Sequence, residues 1–231
     1  MNQVEIVFNN QKIKGIWRDE VDESVWAEIF KWREYRQAED CIKLAEEPIL
    51  DIGAHAGFFA LYCLALNITA KVFCLEPEIK NIAFFKRNLA LNGWEEKVNI
   101  FPIALTATTG DYQLKISTNS HNHRIMNNGD DSDNFFTVAG ISLSDFIKKN
   151  KIKKIGLIKL DIEGGEYELL TSWGANELSV IKNIILEYHE FDAWRREDLV
   201  QILRENGFGV QIFPSKFDKT MGIIFAHNKR I

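Results

Sequence analysis

The chain has 231 residues, a formal charge of −5 at pH 7, 46 % hydrophobic residues and 26 % charged residues. That length suits one substantial domain whose core needs no disulfide or metal staple, and the composition excludes disordered and collagen-like classes. The acidic balance disfavours a nucleic-acid partner, because gripping a phosphate backbone takes basic surface.

Residues 4–8 and 12–17 flank Asn9-Asn10-Gln11 and predict a β-hairpin. Residues 20–46 carry helical spacing, with Val25, Ile29 and Trp32 on one stripe and Ala38, Ile42 and Ala45 on another. Together they form an N-terminal hairpin and helical extension, 1–47, ahead of a main domain, 48–231. The start has no basic residues followed by an apolar stretch, so it does not read as a signal peptide. The most apolar run, Gly57 to Leu66, is too short to span a bilayer. Cys41, Cys63 and Cys74 lie in apolar stretches without CxxC spacing and read as reduced core residues. These features predict a cytoplasmic protein with no membrane partner.

From residue 48 strands alternate with helices. Residues 48–52 predict a short buried strand, followed by a glycine turn and a helix over 58–67. Residues 71–75 predict a second strand, and 78–92 a helix closed by Gly93. Residues 98–105 predict a third strand. An insertion, 106–140, breaks the rhythm: 112–116 and 135–139 read as strands around a polar loop, 117–134, which is either a solvated loop or a lid over substrate. Within it, His121 and His123 lack the further Cys or His that a zinc site needs. Residues 155–160 and 183–188 predict the fourth and fifth strands, with helices over 165–173 and 193–206, the latter stopped by Gly207. Two final strands, 209–213 and 222–227, are joined too closely for a parallel crossover, so they predict an antiparallel hairpin. The fold class is therefore α/β, a doubly wound and mostly parallel sheet with one reversed strand.

The sharpest motif is Leu50-Asp51-Ile52-Gly53-Ala54-His55-Ala56-Gly57: a strand ending in an acid, then two glycines leading into a helix. Glycine lets the chain turn tightly and a ligand approach main-chain N–H groups, and ligands of such sheets sit at the carboxyl ends of the strands. The alternative is a plain tight turn with Asp51 as a helix cap. Glu76 ends the second strand, where a carboxylate can accept both hydroxyls of a ribose. The turn lacks the middle glycine of a dinucleotide fingerprint, and Asp51 would repel a pyrophosphate. An amino group suits Asp51 better, so S-adenosylmethionine is favoured over NAD.

With these segments on view, ILDIGAHAGFF, CLEPEIKNIAFFKRNLALNG, ISLSDFI, IGLIKLDIEGGEYELL and IILEYHE, in this order over residues 49–190, resemble the FkbM-type family of S-adenosylmethionine-dependent methyltransferases. The resemblance implies a seven-stranded sheet of order 3-2-1-4-5-7-6 with strand 7 antiparallel. It also implies O-methylation of a hydroxyl on a sugar or small metabolite, hence a small-molecule or glycan acceptor. Carried over by position, Asp51, Gly53, Ala54, His55 and Gly57 line the methionine end of the cofactor. Glu76 holds the ribose, Pro77 shapes the turn, and Ile103 and Ala104, ending strand three, flank the adenine. His55 departs from the family, whose turn often carries Asn, and no acid follows strand three at the usual place for the adenine amine.

An alcohol needs a base, or a cation that lowers its pKa, to act as a nucleophile. Asp161 and Glu163 follow strand four; Glu187, His189 and Glu190 end strand five. Asp161 is the first choice for the cofactor amino group or the acceptor hydroxyl, and His189 is the best base by pKa. Glu163 and Glu166 equally read as acids at a helix N-terminus, and His189 as a surface loop residue. Asp161, Glu187 and His189 offer ligands for a divalent metal, but the resemblance requires none. Asp161-Ile162-Glu163-Gly164 stands where methyltransferases of base amines carry Asn-Pro-Pro-aromatic, a second mark against a nucleic-acid substrate. The alternative function is a methyltransferase-fold protein acting on protein or nucleic acid, or one that binds cofactor without catalysis.

Overall fold

The computed structural model describes residues 2–115, 135–162, 164–190, 194–216 and 218–231. Strands β1 (Asn2–Phe8) and β2 (Gln11–Trp17) form the expected hairpin. Asn9 and Asn10 both take positive φ, 49° and 62°, which matches the twist of a two-residue hairpin turn. Helix α1 (Glu20–Trp26) is capped by Asp19, whose side chain accepts from the Val21 and Asp22 N–H groups.

The helical stretch expected over 20–46 is broken into pieces. A π-helical turn, Ala27–Lys31, follows α1, and the Trp32 N–H reaches back to the Ala27 carbonyl at 2.8 Å. The extra residue in that turn rotates the helix face, so Trp26, Ile29 and Phe30 are buried while Trp32, expected on the buried stripe, is 45 % exposed. Arg33 at φ 54° ends the run, and a 3₁₀ turn, Arg36–Ala38, leads into α2 (Glu39–Lys43).

The main domain comprises β3 (Ile49–Ile52), α3 (Phe58–Leu66), β4 (Val72–Leu75), α4 (Ile79–Asn92), β5 (Val98–Phe101), β6 (Ala104–Leu105), β7 (Gly110–Lys115), β8 (Phe135–Ile141), α5 (Leu143–Lys149), β9 (Leu157–Leu160), α6 (Glu166–Ser172), α7 (Ala175–Ser179), β10 (Asn183–His189), α8 (Arg196–Glu205), β11 (Phe208–Pro214) and β12 (Met221–Asn228). The main sheet runs β5-β4-β3-β9-β10-β12-β11. With its strands numbered in chain order this is 3-2-1-4-5-7-6, and β12 is antiparallel to both neighbours, as expected. Among the described residues no helix is long and apolar enough to cross a membrane.

The third strand is shorter than the sequence suggested. It leaves the sheet after Phe101, because Pro102 has no N–H to offer the ladder. Ile103 donates back to the Phe101 carbonyl at 2.9 Å, and Ala104–Leu105 pairs with β8 in a separate sheet of order β6-β8-β7. Ile103 and Ala104 therefore do not end a strand of the main sheet. Strands β7 and β8 of that second sheet lie within or at the edge of the expected insertion, 106–140; the loop over 117–134, with His121 and His123, lies outside the described residues.

One face of the sheet is covered by α3 and the N-terminal extension, with Trp17, Trp26, Phe30, Phe58 and Tyr62 in a single core cluster. Helix α3 is thus buried on every side apart from its last residue. The hairpin is fixed to α4 by two asparagines. Asn92 pairs with both the N–H and the carbonyl of Lys14, and Asn88 accepts from Ile16 N–H at 2.8 Å while donating to the Ala56 carbonyl at 2.9 Å. The opposite face packs Phe146, Tyr167, Trp173 and Leu199.

Candidate active site

The carboxyl ends of β3, β4 and β9 meet at the 53–57 turn, and β10 lies beside β9. Gly53 and Gly57 sit at φ 74° and 83°, where side-chain-bearing residues are strained. Space is short as well: a Cβ on Gly53 would lie 2.0 Å from the Asp161 carbonyl oxygen, and one on Gly57 would lie 2.0 Å from the Phe85 ring. Ala54 and His55 form the outer arc of the turn, His55 at φ 50°. Helix α3 is capped by Gly57, and Asp51 plays no capping part.

Glu76, just past β4, is buried with both oxygens engaged. Oε2 accepts the His55 N–H at 2.8 Å; Oε1 accepts the Glu78 N–H at 2.8 Å and Asn81 Nδ2 at 3.3 Å. Burial pushes its carboxyl up to about 6, against the pull of those donors. A carboxylate has about four acceptor positions, so capacity remains for a ligand hydroxyl. Pro77 follows Glu76 and leads into α4.

Behind the turn lies a buried lysine. Lys159 Nζ sits 3.5 Å from Asp51 Oδ1 and 3.3 Å from Asp161 Oδ2, and donates to the Gly53 carbonyl at 2.9 Å. Burial disfavours its charge, but Asp161 and Asp51 outweigh burial and hold it above its usual range. Asp51 is sealed from solvent at 0 % exposure, and its charge is matched by Lys159. The Asp51 carboxyl is raised by burial despite Lys159. Asp161 is the more open of the two, its side chain 23 % exposed. Burial works to raise its carboxyl; Lys159, His189 and the Tyr35 hydroxyl, which donates at 3.3 Å, prevail and hold it low.

On β10, His189 Nε2 lies 4.0 Å from Glu187 Oε1. Burial depresses the imidazole below its ordinary value, outweighing Asp161 and Asp218. Glu190 is instead paired with Arg196 at 3.6 Å. Glu166 is a structural clamp, its two oxygens accepting the Ile162 and Gly164 N–H groups at 2.7 and 2.8 Å. Glu163 lies outside the described residues. Among the described residues no three His, Cys, Asp or Glu side chains form a metal-holding group, so Asp161, Glu187 and His189 are neighbours without that geometry.

The extension contributes residues that the sequence did not single out. Burial, with Glu34 and Asp161 nearby, pushes Glu28 up to about 7 although Ser24 donates to it. Glu34 is raised by burial and Asp161. Lys159 had a visible signal, a lone charge inside an apolar strand; Glu28 and Glu34 had none that local spacing reveals.

A family model described as the methyltransferase FkbM domain matches residues 51–210. Over 195 residues the chain is 28 % identical to the hexuronic acid methyltransferase AglP of Haloferax volcanii, covering 80 % of this chain and 75 % of that one. It is 23 % identical over 175 residues to the 2-O-methyltransferase NoeI of Sinorhizobium fredii, covering 69 % and 70 %. The N-terminal domain of human METTL16, solved in complex with SAH, aligns with a TM-score of 0.53 at 14 % identity over 86 % of this chain and 69 % of that one, a likeness of fold.

Proposed function

This chain belongs to the FkbM methyltransferase family, and we propose that it moves a methyl group from S-adenosylmethionine to a hydroxyl oxygen of a sugar or small polyhydroxylated metabolite. The observation that carries the reading is the pairing, at neighbouring strand ends, of an ionised Asp161 with an imidazole, His189, that burial keeps neutral. Two relatives named for a hexuronic acid and for 2-O-methylation support a sugar hydroxyl as acceptor.

The turn and strand ends suit the cofactor. Gly53 and Gly57 hold the turn at positive φ, packed close against Asp161 and Phe85, and Glu76 keeps acceptor capacity. The net charge around Lys159 is negative, which suits a sulfonium. When bound, the cofactor supplies a methyl group on a cationic sulfur, open to in-line displacement. Gly53, Ala54, His55 and Gly57 would take its methionine end, and Glu76, followed by Pro77, its ribose. Ile103, just past the end of β5, stays our candidate beside the adenine; Ala104 belongs to β6 and is a weaker one. Asp51 acts through Lys159, which orients Asp161 and the Gly53 carbonyl.

His189 is the general base. It takes the acceptor's hydroxyl proton on a ring nitrogen, and Glu187 and Asp161 stabilise the imidazolium that forms. Glu163 is kept as a candidate acid from the sequence, two residues after Asp161. The extension, 1–47, walls the acceptor side of the 48–231 domain through Glu28, Glu34 and Tyr35. This chemistry needs no metal. Free thiols at Cys41, Cys63 and Cys74 support a reducing compartment, the cytoplasm.

The test is methyl transfer from labelled S-adenosylmethionine to a panel of hexuronic acids and neutral sugars, alongside the same sugars with blocked hydroxyls, a protein fraction and RNA. Label should enter sugars with free hydroxyls. Label confined to protein or RNA would overturn the proposal.

A further inference from the structure

The 53–57 turn and Glu76 are tied together by a residue of the hairpin. Arg18 Nη1 donates to Asn81 Oδ1 at 2.7 Å. Asn81 Nδ2 donates to Glu76 Oε1 at 3.3 Å, and Glu76 Oε2 accepts the His55 N–H at 2.8 Å. Arg18 Nη2 closes the ring on His55 Nε2 at 3.0 Å. The same imidazole nitrogen lies 3.3 Å from Asp22 Oδ1, so the His55 ring faces both the guanidinium and the carboxylate that holds it. The fork itself is held by Asp22, fully buried, whose two oxygens accept Nε and Nη2 at 2.8 Å each, while Oδ2 also takes the Arg18 N–H at 2.8 Å. Arg18 also lies over the Phe84 ring, 4.9 Å from its centroid.

We propose that Arg18, held by Asp22, is a positioning residue for the cofactor's ribose. It fixes Asn81 on one side of the Glu76 carboxylate and the His55 segment on the other. This rests on the reading that Glu76 holds the ribose. Arg18 and Asp22 lie ahead of the segment that matches the family model, 51–210. The extension therefore completes the cofactor site as well as covering the core. Only a planar fork with several fixed donors can serve Asp22, Asn81 and His55 together. A lysine keeps the charge and loses the geometry. Without the fork, Asn81 and the His55 ring are free to turn, and Glu76 loses its fixed angle to the ribose hydroxyls.

The experiment is calorimetric titration of the full chain with S-adenosylhomocysteine and with its 2′-deoxy analogue. The proteins are wild type, Arg18→Lys, Arg18→Ala, Glu76→Gln and the double variant Arg18→Ala/Glu76→Gln, each checked for folding by thermal denaturation. We expect Arg18→Ala and Arg18→Lys each to weaken S-adenosylhomocysteine about tenfold. In the Glu76→Gln background, Arg18→Ala should cost less than about twofold, because both changes remove the same contact. Loss of the 2′-hydroxyl should cost wild type about tenfold and Arg18→Ala under about twofold. A residue that merely supports the fold would weaken both ligands equally and add to Glu76→Gln. That pattern, or undiminished affinity in both Arg18 variants, overturns the proposal while leaving Glu76 in place. If Glu76→Gln itself binds as wild type does, the ribose reading falls first and this proposal falls with it. If neither Arg18 variant folds, Asn81→Ala, which cuts the same ring beside Glu76, takes their place in the same cycle, with the same outcomes deciding.

Discussion

Replacing Lys159 by methionine removes the one cation between two carboxylates and leaves a chain of similar length. At separations of 3.5 and 3.3 Å, and an effective dielectric of about 20, each carboxylate attracts the ammonium by roughly 5 kcal/mol. Dehydrating the ammonium and the Asp51 carboxylate offsets most of this, and breaking a buried pair typically costs about 3–5 kcal/mol. We expect Lys159→Met to lose about that much at pH 7, a large share of the roughly 5–15 kcal/mol that holds such a domain. The loss should shrink on acidification. Burial already raises Asp51 in the wild type, and without Lys159 to oppose it the rise is larger, so the variant gains more stability than the wild type as pH falls toward the unfolded value. In the wild type, Asp161 is held low, so its contribution is present above the unfolded pKa and is lost as pH falls through the folded one. Urea denaturation followed by tryptophan fluorescence, at about pH 8, 7 and 3.5, measures the gap. A gap below about 1 kcal/mol at pH 7, or one unchanged down to about pH 3.5, would refute the reasoning.

Two further outcomes follow from the same geometry. His189→Ala should cut turnover by about two to four orders of magnitude with cofactor affinity nearly intact; because the base works neutral and burial lowers its pKa, wild-type turnover should rise with pH and be half-maximal below pH 6.5, which a pH–rate profile checks. Gly57→Ala should lower the melting temperature by more than twice the shift of Gly93→Ala. Both positions have positive φ, worth about 1–2 kcal/mol, but only the Gly57 methyl group would strike the Phe85 ring, while Gly93 has nothing within 4 Å. Equal shifts would count against that steric account.

The sheet was legible because its strands are short apolar runs between glycine and proline signals, as at Ile49–Ile52 and Leu157–Leu160. The glycine turn and Glu76 were legible from spacing along one βαβ unit. The error at 98–105 came from weighing the apolar residues above Pro102, whose missing N–H ends the ladder. The helix error at 20–46 came from a period of 3.6 imposed across a π turn that no composition signal marks. What stayed hidden is long-range pairing. Arg18 meets Asn81 and His55, and Tyr35 meets Asp161, across separations that leave no trace in local periodicity.

Strand β3 carries the glycine turn, and its two ladder partners arrive at very different times. Strand β4 follows after a single helix, but β9 begins only at Leu157, beyond the second sheet and α5. At a synthesis rate of about 5–20 residues per second, one side of β3 waits on the order of ten seconds for its partner. Throughout that time four fully apolar or buried positions, Ile49–Ile52, present unpaired main-chain groups, a template for association with other nascent chains. Lys159 and Asp161 arrive with β9 itself, so the charges that steady the pocket form only after most of the chain has been made. A ligand at that pocket can lock a finished fold, but it comes too late to seed one.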